Sequence, residues 1–329
     1  MKIALISVTK SGNKIADKLK EKYDVDLYST SNIKNFNLRK VTKNAMKNYR
    51  ALIFVSSTGI AVRAIANFIE SKDKDPAVIV IDSCKRFVIS LLSGHIGGAN
   101  KLTNEIANML EAEPVITTAT DNMGIIAPDV IAVNNDLEID NLKIAKNISA
   151  LLVNRKKVYF KDEEGIINCP KGYTSEIDTS DGIVVVTNKI SPFNLNSKNV
   201  ECLKLIRKNI VLGIGCKKNF DAETMKTQVI NVLKEKNIDK RAVCKVATVD
   251  LKASESAILH LKDYLKCNLE IFSRESIKRV QHKFEGSDFV EKTIGVRGVC
   301  EPCAYLAGAV ELTEKMKLNG MTLCIGKIK

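Results

Sequence analysis

The stretch FVISLLSGHIGGANKLTNEIANMLEA, residues 87–112, decides the fold class. It begins as an apolar, β-branched run of strand length, passes through Ser93, Gly94, His95, Gly97 and Gly98, and continues with apolar residues at helical spacing. Strand, glycine turn and helix in that order form half of a βαβ unit. The order recurs upstream. KIALISV (2–8) reads as a strand, Ser11 and Gly12 open a helix through Leu19, and VDLYS follows as a second strand. ALIFVSS (51–57) leads into the helix TGIAVRAIANFI (58–69) with Thr58 as its N-cap, and AVIVID, FVISLLS and PVITT read as further strands. This α/β alternation predicts an N-terminal parallel-sheet domain, doubly wound, over residues 1–122.

Beyond Asp121 the pattern weakens. Pro128, the Asn/Asp cluster at 134–136 and short strands VYF, GII and GIVVV, running to about Asn199, predict a small α/β middle domain over 123–205. A C-terminal α/β domain over 206–329 follows: the strand NIVLGIGC (209–216), a helix from Asp221 to Lys236, the strand AVCKVATV, a helix from Ser254 to Lys266, the strand LEIF, a helix over roughly 301–318 and the strand TLCIGKI.

Composition narrows the function class. No apolar run approaches the roughly 20 residues that cross a bilayer, and MKIALISVTKSGNK turns polar without a small-residue cleavage site, so a cytoplasmic location is expected. The 9 cysteines, odd in number and without framework spacing, suit reduced thiols. The net charge of +13 is carried largely by dispersed lysine, and tryptophan is absent, which argues against nucleic acid as a partner. A diffuse positive field suits a small substrate bearing several carboxylates.

Three turns follow apolar strands in the first domain: SSTGIAVR, SGHIGGAN and TTATD (117–121). At the carboxyl ends of parallel strands they are expected to line one crevice, gathering Thr58, Gly59, Ser93 to Gly98 and Thr118 to Asp121. Gly97 and Gly98 head a helix, where free N–H groups and the positive dipole end bind carboxylate or phosphate. Neither GHxGG nor STG has Rossmann or P-loop spacing, so no nucleotide site is implied. His95 is either a packed histidine or an acid or base, and its glycine neighbours offer little to pack against. Arg63 either pairs with an acidic neighbour or reaches an anion at its helix start. Asp121 is an N-cap or turn former on one reading and a group orienting His95 on the other. In the third domain Gly213, Gly215 and Cys216 read as a strand-to-helix turn, with the thiol either incidental or favoured as thiolate. Cys300-x-x-Cys303 has the spacing of a redox pair or half a zinc site, but no second pair completes four ligands, so no metal site is expected. Glu301 between them is a first-turn acid or a ligand contact.

SSTGIAVRAIA, LLSGHIGGANKLTNEIA and TTATD, together with VLGIGC, KASESAILHL and GVRGVCEPCAYLAG, resemble the cobalt-precorrin-5A hydrolase family of anaerobic cobalamin biosynthesis over the whole chain, including its three-part order. Cys303 stands where the family often has a small residue. The resemblance implies a hydrolase acting on carbon–carbon bonds, which opens the ring A δ-lactone of cobalt-precorrin-5A and releases a two-carbon fragment as acetaldehyde. The anionic cobalt-corrinoid substrate would carry its own cobalt, with no protein cofactor. On this reading His95 is base or acid, Asp121 orients it, and Gly97, Gly98 and Arg63 receive oxyanion or carboxylate. Thr58, Gly59, Ser93, Gly94, Thr118, Gly213, Gly215, Cys216 and Glu301 complete the expected substrate contacts. A homodimer and transient contact with other corrin-pathway enzymes remain open. The competing class is a non-catalytic corrinoid-binding or escort protein.

Overall fold

The computed structural model of the chain describes residues 1–7, 11–192 and 200–329; Val8, expected in the first strand, and Asn199, at the end of the middle-domain pattern, lie outside them. The chain packs as two compact units, one comprising Met1–Asn134, Ser149–Lys156 and Pro170–Tyr173, the other the remainder. The residues expected to form the middle domain are shared between the two.

In the first unit the elements are β1 (Lys2–Ser7), α1 (Ser11–Lys20), β2 (Asp24–Ser29), α2 (Leu38–Asn48), β3 (Ala51–Val55), α3 (Thr58–Ile65), β4 (Ala77–Ile81), β5 (Phe87–Leu92), α4 (Ala99–Leu110), β6 (Glu113–Val115), α5 (Ala119–Asn122) and α6 (Pro128–Asn134). The sheet order is β2-β1-β3-β4-β5-β6. ALIFV and AVIVI are buried at every position because helices cover both faces. Ile3, Leu5, Ile53 and Ile79 pack with Ile15, Leu19 and Ile106 of α1 and α4. Ile6, Leu52, Phe54 and Val80 pack with Met46, Ala61 and Ile65 of α2 and α3.

The expected parallel sheet is corrected at one edge. β1 to β4 are parallel, but β5 runs antiparallel to β4, and β6 follows β5. Asp82 makes the reversal: its carboxylate accepts the N–H groups of Cys84 at 3.0 Å and Phe87 at 2.6 Å, and Lys85 turns at φ 59. A parallel connection would need about a dozen residues or more. The β4–β5 ladder pairs Val78 with Leu92 and Ile79 with Ser90, so Leu91 is an extra residue, a β-bulge. Ser57, and not Thr58, is the N-cap of α3. The helix α2 falls in a lysine-rich segment where no element was expected.

Next come β7 (Leu137–Ile139), α7 (Leu142–Val153), β8 (Val158–Asp162), β9 (Gly182–Thr187) and β10 (Glu201–Arg207). The sheet order is β7-β10-β9-β8, with β8, β9 and β10 parallel and β7 antiparallel. GII (165–167) is no strand. The buried Asp162 carboxylate gathers the N–H groups of Glu164, Ile166 and Ile167 and turns the chain there.

The remaining elements are β11 (Ile210–Cys216), α8 (Ala222–Glu235), β12 (Val243–Val249), α9 (Ser256–Leu265), β13 (Asn268–Phe272), α10 (Arg274–Val280), α11 (Asp288–Ile294), α12 (Cys300–Leu306), β14 (Glu311–Leu312), β15 (Met316–Leu318) and β16 (Met321–Lys327). The sheet runs β13-β12-β11-β16-β14, with β15 beside β16. The helix expected over 301–318 stops at Leu306, followed by Gly308 at φ 98 and the strands β14 and β15.

Candidate active site

The segment leaving β5 is held by its own backbone. Ser93 takes a left-handed φ of 58, and its carbonyl accepts the Ala99 N–H at 3.1 Å. The Gly94 carbonyl accepts the Asn100 N–H at 2.9 Å, and that of His95 accepts the Gly98 N–H at 2.9 Å. Gly98 is thus the N-cap of α4, but its N–H is occupied, which removes it from the expected oxyanion or carboxylate donors. Gly97 is demanded by packing: a Cβ there would lie 2.4 Å from the Ser93 Cβ.

This loop presents His95 between two carboxylates. Nδ1 lies 3.1 Å from both oxygens of Asp129, and Nε2 lies 2.9 Å from Oδ2 of Asp121. An imidazole can donate from both nitrogens only when protonated. The hydrogen bond and charge of Asp129 and then those of Asp121 outweigh partial burial and raise the His95 pKa to about 8. The His95 side chain is 12% exposed, that of Asp129 24% and that of Asp121 39%, so Asp121 is the face open to a ligand. Asn100 fixes that carboxylate: its Nδ2 donates to Asp121 Oδ2 at 2.8 Å and to Thr118 Oγ1 at 3.0 Å, while Ser90 Oγ donates to its Oδ1 at 2.6 Å. A cleft of about 330 Å³ adjoins, lined by Ser71, Lys72, Ser93, Gly94, Asn100 and Thr118 among others.

Of the three turns expected to converge, two do. Ser93 to Gly98 and Thr118 to Asp121 meet at one edge of the sheet because β5 and β6 share a direction. Thr58 and Gly59 follow β3, which runs the other way, so they lie at the opposite end of the strands. Arg63 lines a separate groove of about 440 Å³ with Leu38, Arg39, Ile60, Ala64 and Asn67. Asp129 and Asn100 were not singled out from the sequence. Pro128-Asp129 carries the signal of a helix start, a proline and an acid in the first turn, and nothing in it points to His95.

In the second unit Gly213, Gly215 and Cys216 lie inside β11 and form no turn. A Cβ on Gly213 would sit 1.9 Å from the Cys300 carbonyl oxygen, so this glycine lets α12 lie against the sheet. Burial pushes the Cys216 thiol up to about 11, against the thiolate reading. Cys300 and Cys303 are buried, their thiols also raised by desolvation, Cys300 to about 11. Glu301 is raised by burial, with Lys315 at 3.9 Å opposing. Among the described residues no three His, Cys, Asp or Glu side chains cluster as metal ligands, and no helix is long and apolar enough to cross a membrane.

Three family matches run along the chain: cobalamin synthesis G N-terminal over residues 40–121, cobalamin biosynthesis central region over 126–205, and cobalamin synthesis G C-terminus over 210–326. The chain belongs to the cobalamin synthesis G family. Within it, the cobalt-precorrin-5A hydrolase of Salmonella typhimurium is 32% identical, covering 98% of this chain and 97% of its own. That of Priestia megaterium is 30% identical over 99% of this chain and 94% of its own. A solved cobalamin biosynthesis protein G homologue from Sulfolobus solfataricus has 21% identity and a TM-score of 0.43, covering 100% of this chain and 97% of its own. His95 and Asp121 fall in the N-terminal match of the cobalamin synthesis G family, and Asp129 in its central region.

Proposed function

We propose that the chain is a cobalt-precorrin-5A hydrolase whose chemistry runs through His95. The observation that carries the reading is an imidazolium held between Asp129 and Asp121 beside a cleft, in a chain matched along its length by cobalamin synthesis families.

Lactone opening needs a base for water and an acid for the departing alkoxide. Asp121, the more exposed carboxylate, takes a proton from water as its oxygen attacks the lactone carbonyl. The C–O bond breaks, and His95 Nε2 gives its proton to the leaving oxygen, with Asp129 having held the imidazolium charge. His95 is then a neutral base beside the new hydroxyl. It takes the hydroxyl proton back, the carbon–oxygen bond becomes a carbonyl, the adjacent carbon–carbon bond breaks and acetaldehyde leaves. The electron pair enters the macrocycle, whose carbon takes the proton from Asp121, and both groups return to their starting states. Cobalt is part of the substrate, and the scheme requires no further cofactor. Lys72 in the cleft and the net charge of +13 suit an acetate- and propionate-bearing corrinoid. The reaction is assigned to the cytoplasm.

The test is acetaldehyde release from cobalt-precorrin-5A by the purified chain. His95→Ala is expected to lower turnover by roughly 10²- to 10⁴-fold while corrinoid affinity stays within a few-fold. Binding of the corrinoid by folded wild type without acetaldehyde would instead identify an escort protein.

A further inference from the structure

Ser93 combines features that no other residue of the site shares. Its φ of 58 is one that a side chain with a Cβ adopts only at a cost, and here a serine occupies it where glycine would fit without strain. Its hydroxyl is buried and meets no hydrogen-bond partner among the described residues. It also lines the cleft that adjoins Asn100 and Thr118, the two groups bonded to each other behind Asp121. Thr42, Thr103 and Thr120 also carry buried hydroxyls without a partner, but they lie within α2, α4 and α5 at helical backbone, and none of them lines the cleft, although Thr120 is next to Asp121. Strain and an unanswered donor at one cleft-lining position are what a group reserved for a ligand shows.

We propose that Ser93 Oγ donates a hydrogen bond to the lactone carbonyl oxygen of the substrate, strengthening as that oxygen becomes an oxyanion. This rests on the hydrolase reading above and adds to it the donor that lactone opening needs. Gly98 cannot serve, since its N–H is bound to the His95 carbonyl. Ser93 is two residues before His95 on the same fixed loop, so the donor and the acid are positioned together. No base lies at its hydroxyl, which sets it apart from a nucleophile: it gives a hydrogen bond and keeps its proton.

The experiment compares Ser93→Ala, Ser93→Gly and the remote control Thr42→Val in the full chain, by acetaldehyde release, corrinoid affinity and melting temperature. Ser93→Ala is expected to lower kcat about 10²-fold with KM changed only a few-fold, and without a fall in Tm. Ser93→Gly is expected to lose as much activity while melting higher than Ser93→Ala, because it also relieves the backbone. Thr42→Val is expected to leave turnover unchanged. Near-normal turnover in folded Ser93→Ala would overturn the proposal, as would a loss confined to Ser93→Gly. A wild type that binds the corrinoid without releasing acetaldehyde would refute the hydrolase reading instead, and the Ser93 contact would then be judged by affinity: an unchanged Kd in Ser93→Ala overturns it.

Discussion

Replacing Asp129 by asparagine keeps the shape of the side chain but removes the carboxylate whose hydrogen bond, first, and whose charge, second, raise the imidazole, leaving at Nδ1 only a neutral acceptor. With Asp129 in place His95 titrates at about 8; without it the group is expected to fall toward its ordinary 6.5. At pH 7.5 the protonated fraction then drops from roughly three quarters to roughly a tenth, an eightfold loss of the acid form, to first order. Stability follows with a definite sign. A raised histidine pKa adds stability that is fully present below 6.5 and is lost as pH rises through about 8. The difference is worth at most ~2 kcal/mol, and screening at the exposed Asp121 side brings it to roughly 1 kcal/mol. The assay is the pH dependence of acetaldehyde release and of Tm between pH 6 and 9 for both proteins. The alkaline limb of turnover is expected to move down by more than one pH unit in Asp129→Asn, and the wild-type decline in Tm between pH 6.5 and 8 to flatten. A folded variant with its alkaline limb where wild type has it would refute the reasoning.

Arg63→Gln, in the groove away from the His95 edge, is expected to leave kcat/KM within about threefold, and a larger loss would return the α3 start to the site. Gly213→Ala forces a Cβ to 1.9 Å from the Cys300 carbonyl and is expected to cost about 3 kcal/mol in urea denaturation. An unchanged midpoint there would mean that α12 lifts from the sheet without loss.

Much of the first unit is readable from residue pattern because its strands are buried on both faces and so appear as unbroken apolar runs: KIALIS, ALIFV and AVIVI. Such runs carry no direction. The reversal of β5 is nonetheless present in the short link from Ile81 to Phe87, too short for a crossover, and it is this reversal that separates Thr58 and Arg63 from the His95 loop. The SGHIGGAN turn was legible from its glycines and lone histidine. Asp129 was not, because it reaches His95 through tertiary packing of α6, at no periodic spacing from TTATD. GIGC is ambiguous for a related reason. A glycine after an apolar run looks the same whether the chain turns there or another helix presses on it, and only the approach of Cys300 tells them apart. Lysine-rich α2 went unread because its buried face is narrow, with Thr42, Ala45 and Met46 its buried residues.

The extra residue at Leu91 makes β5 a strand that cannot be tidied. A bulge places two successive residues on one face and adds twist where the strand ends, and here Leu91 and Leu92 both lie on the side of Val78 and Val80. A chain shortened at Leu91 would keep Leu92 opposite Val78 but lose that twist and one residue of reach. The loop carrying His95 would then leave the sheet at a different angle, drawn away from Asp121 and Asp129. Length, at this position, acts as a form of specificity: replacing the side chain at 91 is expected to disturb the site less than deleting the residue.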